Sequence, residues 1–122
     1  MMLKQVFVVL LLAAAVPSAY SADVEAGKRV FQKCASCHKV GPNARSGFGP
    51  QLNGIVGRRA GSAPDYAYSK AIKNSGVVWT EENLAAFVRD TDDVVPGNKM
   101  RFWGISNEKQ IADLLAYLST LR

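Results

Sequence analysis

The chain has few of the side chains that usually hold metal ions: one histidine, His38, and two cysteines, Cys34 and Cys37. A structural zinc site needs about four ligands, so these three residues cannot complete one. A thioredoxin-like dithiol is expected within a βαβ unit, and no segment has a convincing alternation of apolar and polar residues. These shortages argue against a zinc site and against a redox-active dithiol.

Long apolar runs are also scarce. The run Val6–Val16 is about half of the ~20 residues needed to span a bilayer. It follows a lysine and precedes small residues at Ala19 and Ser21, as in a secretory signal. We predict a signal peptide over residues 1–21, cleaved near Ser21 or one residue later, and a single periplasmic domain over residues 22–122 without stable membrane insertion. A retained membrane anchor is the alternative.

Basic residues outnumber acidic ones, but they are dispersed along the chain. The formal net charge is +5, and no run of basic residues is longer than two. Nucleic-acid-binding domains concentrate lysine and arginine on one face or helix, so we predict no nucleic-acid partner. In an exported chain, dispersed positive charge favours docking on acidic protein surfaces.

The three scarce residues lie together in Cys34-Ala35-Ser36-Cys37-His38. The pattern C-x-x-C-H is the attachment signature of a c-type haem. Each thiol adds to one vinyl group of the porphyrin to form a thioether, and the following histidine ligates iron from the proximal side. We therefore predict one covalent haem c, held by Cys34 and Cys37, with His38 as an axial ligand.

Apolar residues at helical spacing predict a mostly α-helical domain with long loops. Asp23 is the predicted N-cap of the first helix, and Ser106 that of the last, which runs over Asn107–Leu121. Between them we predict a short helical turn at Ser69–Asn74 and a helix from an N-cap at Thr80 to about Arg89. The fold is thus three main helices plus a short one.

The glycine-rich segment from Lys39 to Gly61 is predicted to be an ordered loop wrapped over the cofactor. Glycine permits positive φ and close backbone contact there. The apolar residues within it are expected to be buried: Phe48, Leu52, Ile55 and Val56.

The second iron ligand is predicted from composition. Met1 and Met2 leave with the signal, so Met100 is the only methionine of the mature chain. It ends a turn-forming loop that begins at Val95 and is well placed to ligate the distal face. Lys99 as the ligand, and an open sixth position, are the alternatives.

A haem iron with two strong ligands, His38 and Met100, is closed to oxygen and peroxide, and the thioether raises the reduction potential. This predicts a carrier of single electrons and not an enzyme. A peroxidase-like haem enzyme would need a distal acid or base, and the chain has no second histidine. A gas-binding haem protein would need a labile Met100.

With these features in place, the chain resembles the class I cytochromes c, especially the mitochondrial and bacterial c2-like branch. The likeness covers nearly all of the mature region and includes Gly49-Pro50-Gln51-Leu52-Asn53-Gly54-Ile55-Val56-Gly57-Arg58, which is similar to that branch's loop after the haem histidine. The resemblance implies an all-α class I cytochrome c fold with long loops around a covalent haem.

The resemblance also implies roles for individual residues. The carbonyl of Pro50 would accept the proximal imidazole N–H. Arg58, Tyr68 and Trp79 would face the haem propionates, and Phe102 would be an aromatic residue beside the haem edge. The contact between the first and last helices would be formed by Gly27, Phe31, Leu114 and Tyr117.

Several residues depart from the family's pattern. Phe87 replaces a tyrosine that reaches the ligand sulfur, and Ile72 replaces a buried asparagine, which predicts a drier distal pocket. Asn98 replaces a threonine that contacts a propionate, and its amide can still do so. Asp92 and Asp93 stand where mitochondrial proteins carry lysines.

The resemblance implies redox protein partners: a quinol-oxidising complex, an oxidase, a reaction centre or a dehydrogenase. Lys33, Lys99 and Arg45 fit the family's positive ring around the haem edge. Trp103 beside Phe102 is unexpected and is a candidate apolar contact for a partner. The chain is expected to act as a monomer.

Overall fold

The computed structural model describes Met2 and residues 21–122, so the predicted signal segment lies outside the described residues apart from its positions 2 and 21. A 3₁₀ turn, Phe31–Lys33, continues the first helix. The helices are α1 (Val24–Val30), α2 (Lys70–Lys73), α3 (Glu81–Arg89), α4 (Thr91–Val94) and α5 (Glu108–Leu118). Within the described part of the chain, no helix is both long and apolar enough to cross a membrane.

Side-chain caps set where these helices begin. Asp23, Ser69 and Thr80 each accept hydrogen bonds from backbone N–H groups of the first turn of α1, α2 and α3. This confirms the two predicted N-caps Asp23 and Thr80, and it adds Ser69 as the cap of the predicted short turn. The prediction of Ser106 for the last helix was wrong by one residue. Asn107 is the cap, because its side-chain oxygen accepts from the Gln110 N–H, three residues on.

Two short helices accompany the three longer ones, where only one was predicted. The additional helix is α4, which Asp90 caps by accepting from the N–H groups of Asp92 and Asp93. Four residues are too few for an apolar periodicity, so no sequence signal marked this helix. It directly precedes the loop that carries Met100.

Helices α1 and α5 pack closely where Gly27 faces the backbone of Asp113. A Cβ on Gly27 would collide with the Asp113 carbonyl oxygen and would lie 2.8 Å from the Tyr117 Cβ. The Phe31 and Tyr117 rings meet beside this point with centroids 5.5 Å apart, and Leu114 is only 1% exposed. The predicted contact between the first and last helices is therefore confirmed.

Asp113 adds a polar connection to this interface. Its Oδ1 accepts from the Asp23 N–H at 2.9 Å, and its Oδ2 accepts from Lys109 Nζ at 2.7 Å. The bond from Lys109 and the bond from Asp23 both lower the pKa of Asp113. The buried carboxylate is thus satisfied and ties the start of α1 to α5.

The core lies between these helices and the segment that precedes α3. Trp79 and Phe87 pack with ring centroids 4.8 Å apart, and both are buried. An isolated antiparallel bridge, Arg59 to Val78, joins the glycine-rich segment to the chain before α3. This bridge brings Arg58 beside Trp79, because the Trp79 N–H donates to the Arg58 carbonyl at 2.8 Å.

The glycine-rich segment is an ordered loop, but the prediction that Phe48 is buried was wrong. Ile55 is 4% exposed, Leu52 and Val56 are partly buried, and Phe48 is 90% exposed. The reason is that the neighbouring Gly49 is itself buried against His38. The adjacent side chain therefore points outward.

We expect Gly27→Ala to lower the free energy of unfolding by about 3 kcal/mol, because the methyl group forces α1 and α5 apart. Urea denaturation of the haem-loaded protein measures this. Gly47→Ala is the matched control, since a Cβ at Gly47 meets nothing within 4 Å. Equal losses of stability in the two variants would contradict the close-packing explanation.

Candidate haem-binding site

The C-x-x-C-H motif forms a tight turn at the end of α1. The N–H groups of Cys37 and His38 both donate to the Cys34 carbonyl, at 3.1 and 2.9 Å. This turn follows the 3₁₀ extension of α1, so the contact between α1 and α5 positions it. Both thiols are free and partly buried.

The chemistry of the thiols does not suit a redox dithiol. Burial, followed by the neighbouring Cys37, raises the pKa of Cys34 to about 11. Redox-active Cys-x-x-Cys pairs depend on a thiol with a lowered pKa, because the thiolate is the nucleophile. A thiol that stays protonated at neutral pH is consistent with a structural attachment role.

His38 is held in one orientation. Its ring is 9% exposed, and its Nδ1 lies 2.8 Å from the Pro50 carbonyl oxygen. A carbonyl can only accept, so Nδ1 carries the proton and Nε2 keeps its lone pair. Burial lowers the pKa of His38, against the opposing effect of the Pro50 bond. The neutral imidazole is therefore prepared to ligate a metal through Nε2.

The loop that supplies the Pro50 carbonyl is fastened directly to the motif. The Gly49 N–H donates to the Cys37 carbonyl at 2.9 Å, and the Leu52 N–H donates to the Lys39 carbonyl at 3.0 Å. A Cβ on Gly49 would lie 2.7 Å from His38 Cε1 and 2.9 Å from Nδ1. Only glycine leaves room for the imidazole at this position.

Arg58 organises the next part of the loop and has one unused donor. Its Nη1 donates to the Asn53 carbonyl at 3.0 Å, and its Nη2 donates to the Gln51 carbonyl at 2.8 Å. Its Nε is buried and has no partner among the described residues. A buried donor without a partner costs about 1–3 kcal/mol, so this position suits an anionic group such as a haem propionate.

Tyr68 and Trp79 lie close to Arg58, and the resemblance implied a role at the haem propionates for all three. The Tyr68 hydroxyl accepts from the Ala63 N–H at 3.0 Å. Burial lowers the pKa of the Arg58 guanidinium, and the neighbouring Tyr68 opposes this effect. The Trp79 backbone pairs with Arg58 and Gly57 on either side. Tyr68 thus interacts with the Arg58 side chain, and Trp79 with the Arg58 backbone.

Met100 lies in a loop whose conformation is stabilised by hydrogen bonds of the Asn98 side chain. Asn98 Oδ1 accepts from the Met100 N–H at 2.9 Å. Its Nδ2 donates to the Val95 carbonyl at 2.9 Å and to Asp92 Oδ1 at 3.1 Å. The Asn98 amide is therefore engaged within the loop, and its predicted propionate contact competes with these bonds.

Met100 and Phe102 are partly buried and pack against the core, whereas Trp103 is fully exposed. An open hollow of about 590 Å³ lies along this loop. Its lining includes both Met100 and Trp103: Thr91, Asp92, Asn98, Lys99, Met100, Arg101, Phe102 and Trp103. The loop thus places the partly buried Met100 near the exposed indole of Trp103.

Taken together, the residues present fit a c-type haem. Cys34 and Cys37 are free, His38 offers Nε2, and Arg58 has a buried donor without a partner. These are the groups that thioether attachment, axial ligation and propionate binding require.

Three residues that hold the site together had no role predicted from the sequence: Gly49, Ser46 and Asn53. Ser46 Oγ accepts from the Gln51 N–H at 2.9 Å, and Asn53 exchanges two hydrogen bonds of 2.9 Å with the backbone of Gly41. A glycine directly before Pro50 was the one available signal, because it marks a close approach. Nothing in the sequence pattern distinguishes Ser46 or Asn53 from ordinary loop residues.

Comparison with known proteins identifies similar chains. Residues 24–122 match the family model for cytochrome c. The chain is 44% identical to cytochrome c2 of Blastochloris viridis, over 96% of this chain and 92% of that protein. It is 47% identical to cytochrome c2 of Rhodoblastus acidophilus, over 82% of this chain and 94% of that protein. The structure of cytochrome cH from Methylobacterium extorquens aligns with a TM-score of 0.77 at 42% identity, covering 81% of this chain and 99% of that one.

We expect Gly49→Ala to displace the His38 imidazole and lengthen its bond to the Pro50 carbonyl, because the added methyl group occupies the place of the ring edge. The His38 Nδ1–H resonance in the NMR spectrum should broaden through faster exchange with water, by about tenfold or more. Gly47→Ala is again the control. A sharp Nδ1–H resonance in the Gly49 variant would show that the ring tolerates the methyl group.

Proposed function

The chain belongs to the cytochrome c family, and from that premise we propose that it is a soluble periplasmic carrier that shuttles single electrons between redox complexes, with His38 and Met100 as axial ligands. It is an electron-carrier cytochrome with one covalent c-type haem, not an enzyme. The haem, when bound, supplies a one-electron couple between ferric and ferrous iron. Cys34 and Cys37 hold it covalently.

The observation that carries this proposal is the hydrogen bond from His38 Nδ1 to the Pro50 carbonyl. It fixes the proton on Nδ1 and leaves Nε2 free for iron. A carbonyl that accepts from the other ring nitrogen also increases the basicity of the ligand and keeps the ring from rotating. A ligand held this firmly keeps its position when the iron gains or loses an electron.

Met100 as the second ligand is supported by elimination and by its loop. It is the only methionine within residues 21–122, it packs against the core, and Asn98 fixes its backbone N–H. A thioether is a soft, neutral donor that favours ferrous iron and a high potential. Lys99, the alternative ligand, has its ammonium 2.6 Å from the Ala67 carbonyl oxygen, which holds it away from that role.

Arg58, Tyr68 and Trp79 are proposed to hold the haem propionates. The unpartnered Nε of Arg58 would gain an acceptor, and a positive charge beside a buried carboxylate reduces the cost of its burial. Phe102 would pack beside the haem edge. Phe87 makes its ring contact with Trp79, which supports a dry pocket on that side.

The proposed location and partners follow from the same premise. The predicted signal over residues 1–21 would direct the domain of residues 22–122 to the periplasm as a monomer. The proposed donors and acceptors are a quinol-oxidising complex, an oxidase, a reaction centre or a dehydrogenase. Lys33 and Arg45 are exposed for docking, and the exposed indole of Trp103 is suited to an apolar slot in a partner.

We expect Met100→Ala to abolish the red absorption band that arises from sulfur-to-ferric charge transfer and to let the reduced protein bind carbon monoxide at neutral pH. The physical reason is that no other methionine lies in residues 21–122, so no second side-chain thioether can ligate the iron in its place. Optical spectra of the purified protein and of Lys99→Ala, the control for the alternative ligand, measure this. Tight carbon monoxide binding by the unmodified protein would contradict the two-ligand proposal and favour a gas-binding haem protein.

Arg58→Gln should lower the reduction potential, because removing a nearby positive charge favours ferric iron. We expect a shift on the order of 1 kcal/mol, or about 40 mV for a one-electron couple. Redox titration of Arg58→Gln measures this shift. Arg59→Gln is the control, since Arg59 has the same charge but is exposed and screened by solvent. Equal shifts in the two variants would rule out a specific propionate contact.

A further inference from the structure

One short segment contacts the loops of both proposed axial ligands. It consists of Asp65, Tyr66 and Ala67, and we call it the strap. No sequence signal drew attention to it, and none of its residues belongs to the site described above. On one side it contacts the loop that leads to Pro50, and on the other it contacts Lys99, the residue before Met100.

On the first side, the strap holds the loop that leads to Pro50. Asp65 accepts from both the Ser46 N–H, at 2.9 Å, and the Ser46 hydroxyl, at 2.6 Å. These two bonds lower the pKa of Asp65, so the carboxylate is ionised at neutral pH. The same Ser46 hydroxyl accepts from the Gln51 N–H at 2.9 Å. Two consecutive hydrogen bonds thus link Asp65 to Gln51, the residue that follows Pro50.

A further bond ties the strap to the same loop. The Tyr66 hydroxyl donates to the Phe48 carbonyl at 3.1 Å, immediately before Gly49. The strap therefore contacts this loop directly at Ser46 and Phe48, and it reaches Gln51 only through the Ser46 hydroxyl. Gly49 and Pro50, which contact His38, lie between Phe48 and Gln51.

On the second side, the strap holds the residue beside Met100. Lys99 Nζ donates to the Ala67 carbonyl at 2.6 Å. The same ammonium lies 4.8 Å from the centroid of the Tyr66 ring, within the range of a cation–π interaction. Tyr66 therefore contacts both loops, through its hydroxyl on one side and its ring on the other.

We propose that the strap couples the two ligand loops, so that Asp65 and Tyr66 are positioning residues for His38 and Met100 although they touch neither. The proposal rests on the proposed function, because it takes His38 and Met100 as the ligands. Loosening the strap on either side should loosen the loop on the other. Such coupling between sites is reciprocal by thermodynamic necessity.

The test is amide hydrogen exchange of the reduced, haem-loaded protein, followed by NMR. The Gln51 N–H reports the loop on the His38 side, and the Met100 N–H reports the other loop. We expect Asp65→Ala to speed exchange at Met100, and Lys99→Ala to speed exchange at Gln51, each by about fivefold or more. The variant with both changes should add little to either remote effect.

Matched controls remove a charge without touching the strap. Asp93→Ala and Lys70→Ala each delete an exposed side chain, and we expect less than a twofold change at both reporter amides. Ser46→Ala removes the hydroxyl bond to Asp65 from the other partner, together with the acceptor of the Gln51 N–H, whereas the backbone N–H of residue 46 can still donate to Asp65. It should speed exchange at Met100 in the same direction as Asp65→Ala, by a smaller factor. The amide of the buried Leu114 is the internal reference for global unfolding.

The outcomes separate this inference from the proposed ligation. If Asp65→Ala affects only Gln51 and Lys99→Ala affects only Met100, the strap does not couple the loops and the inference is overturned. Equal acceleration at Leu114 would also overturn it, since the effect would then be global. Absence of the sulfur-to-ferric band in the unmodified protein would instead refute ligation by Met100, while the exchange data would still report on the two loops.

Discussion

The hydrogen bond from His38 Nδ1 to the Pro50 carbonyl is the contact on which the organisation of the site depends. It needs the C-x-x-C-H turn on one side and the glycine-rich loop on the other, at a separation of 2.8 Å. Gly49 permits that approach, because any side chain there would meet the imidazole. Through this bond a loop without regular secondary structure determines which ring nitrogen can ligate iron.

The packing of the helices positions the His38 side of this hydrogen bond. Gly27 lets α1 approach the backbone of α5, and the buried Asp113 ties the two helices together. Since the C-x-x-C-H turn directly continues α1, the helix interface determines where the thiols and His38 lie. The remaining site residues come from loops that are fastened by side-chain hydrogen bonds, notably those of Arg58 and Asn98.

An electron carrier has to keep its ligands in place while its charge changes, and the pattern of bonds is suited to this. The loops near His38 and Met100 make few backbone–backbone bonds to each other, but both are held by polar side chains. Asp65 and Lys99 bring them to one short segment. A rigid site of this kind is expected to favour electron transfer over binding of small molecules, which agrees with the family to which the chain belongs.

The sequence by itself determined how the cofactor is attached, because the C-x-x-C-H motif implies covalent haem. The counts of histidine and methionine are also the basis for proposing His38 and Met100 as the iron ligands. It also located the N-caps Asp23 and Thr80, because capping is a local interaction. The tertiary structure alone decided the outward direction of Phe48, the unpartnered Nε of Arg58, and the bond between Asp65 and Ser46. These depend on contacts between residues far apart in the chain, which no local pattern records.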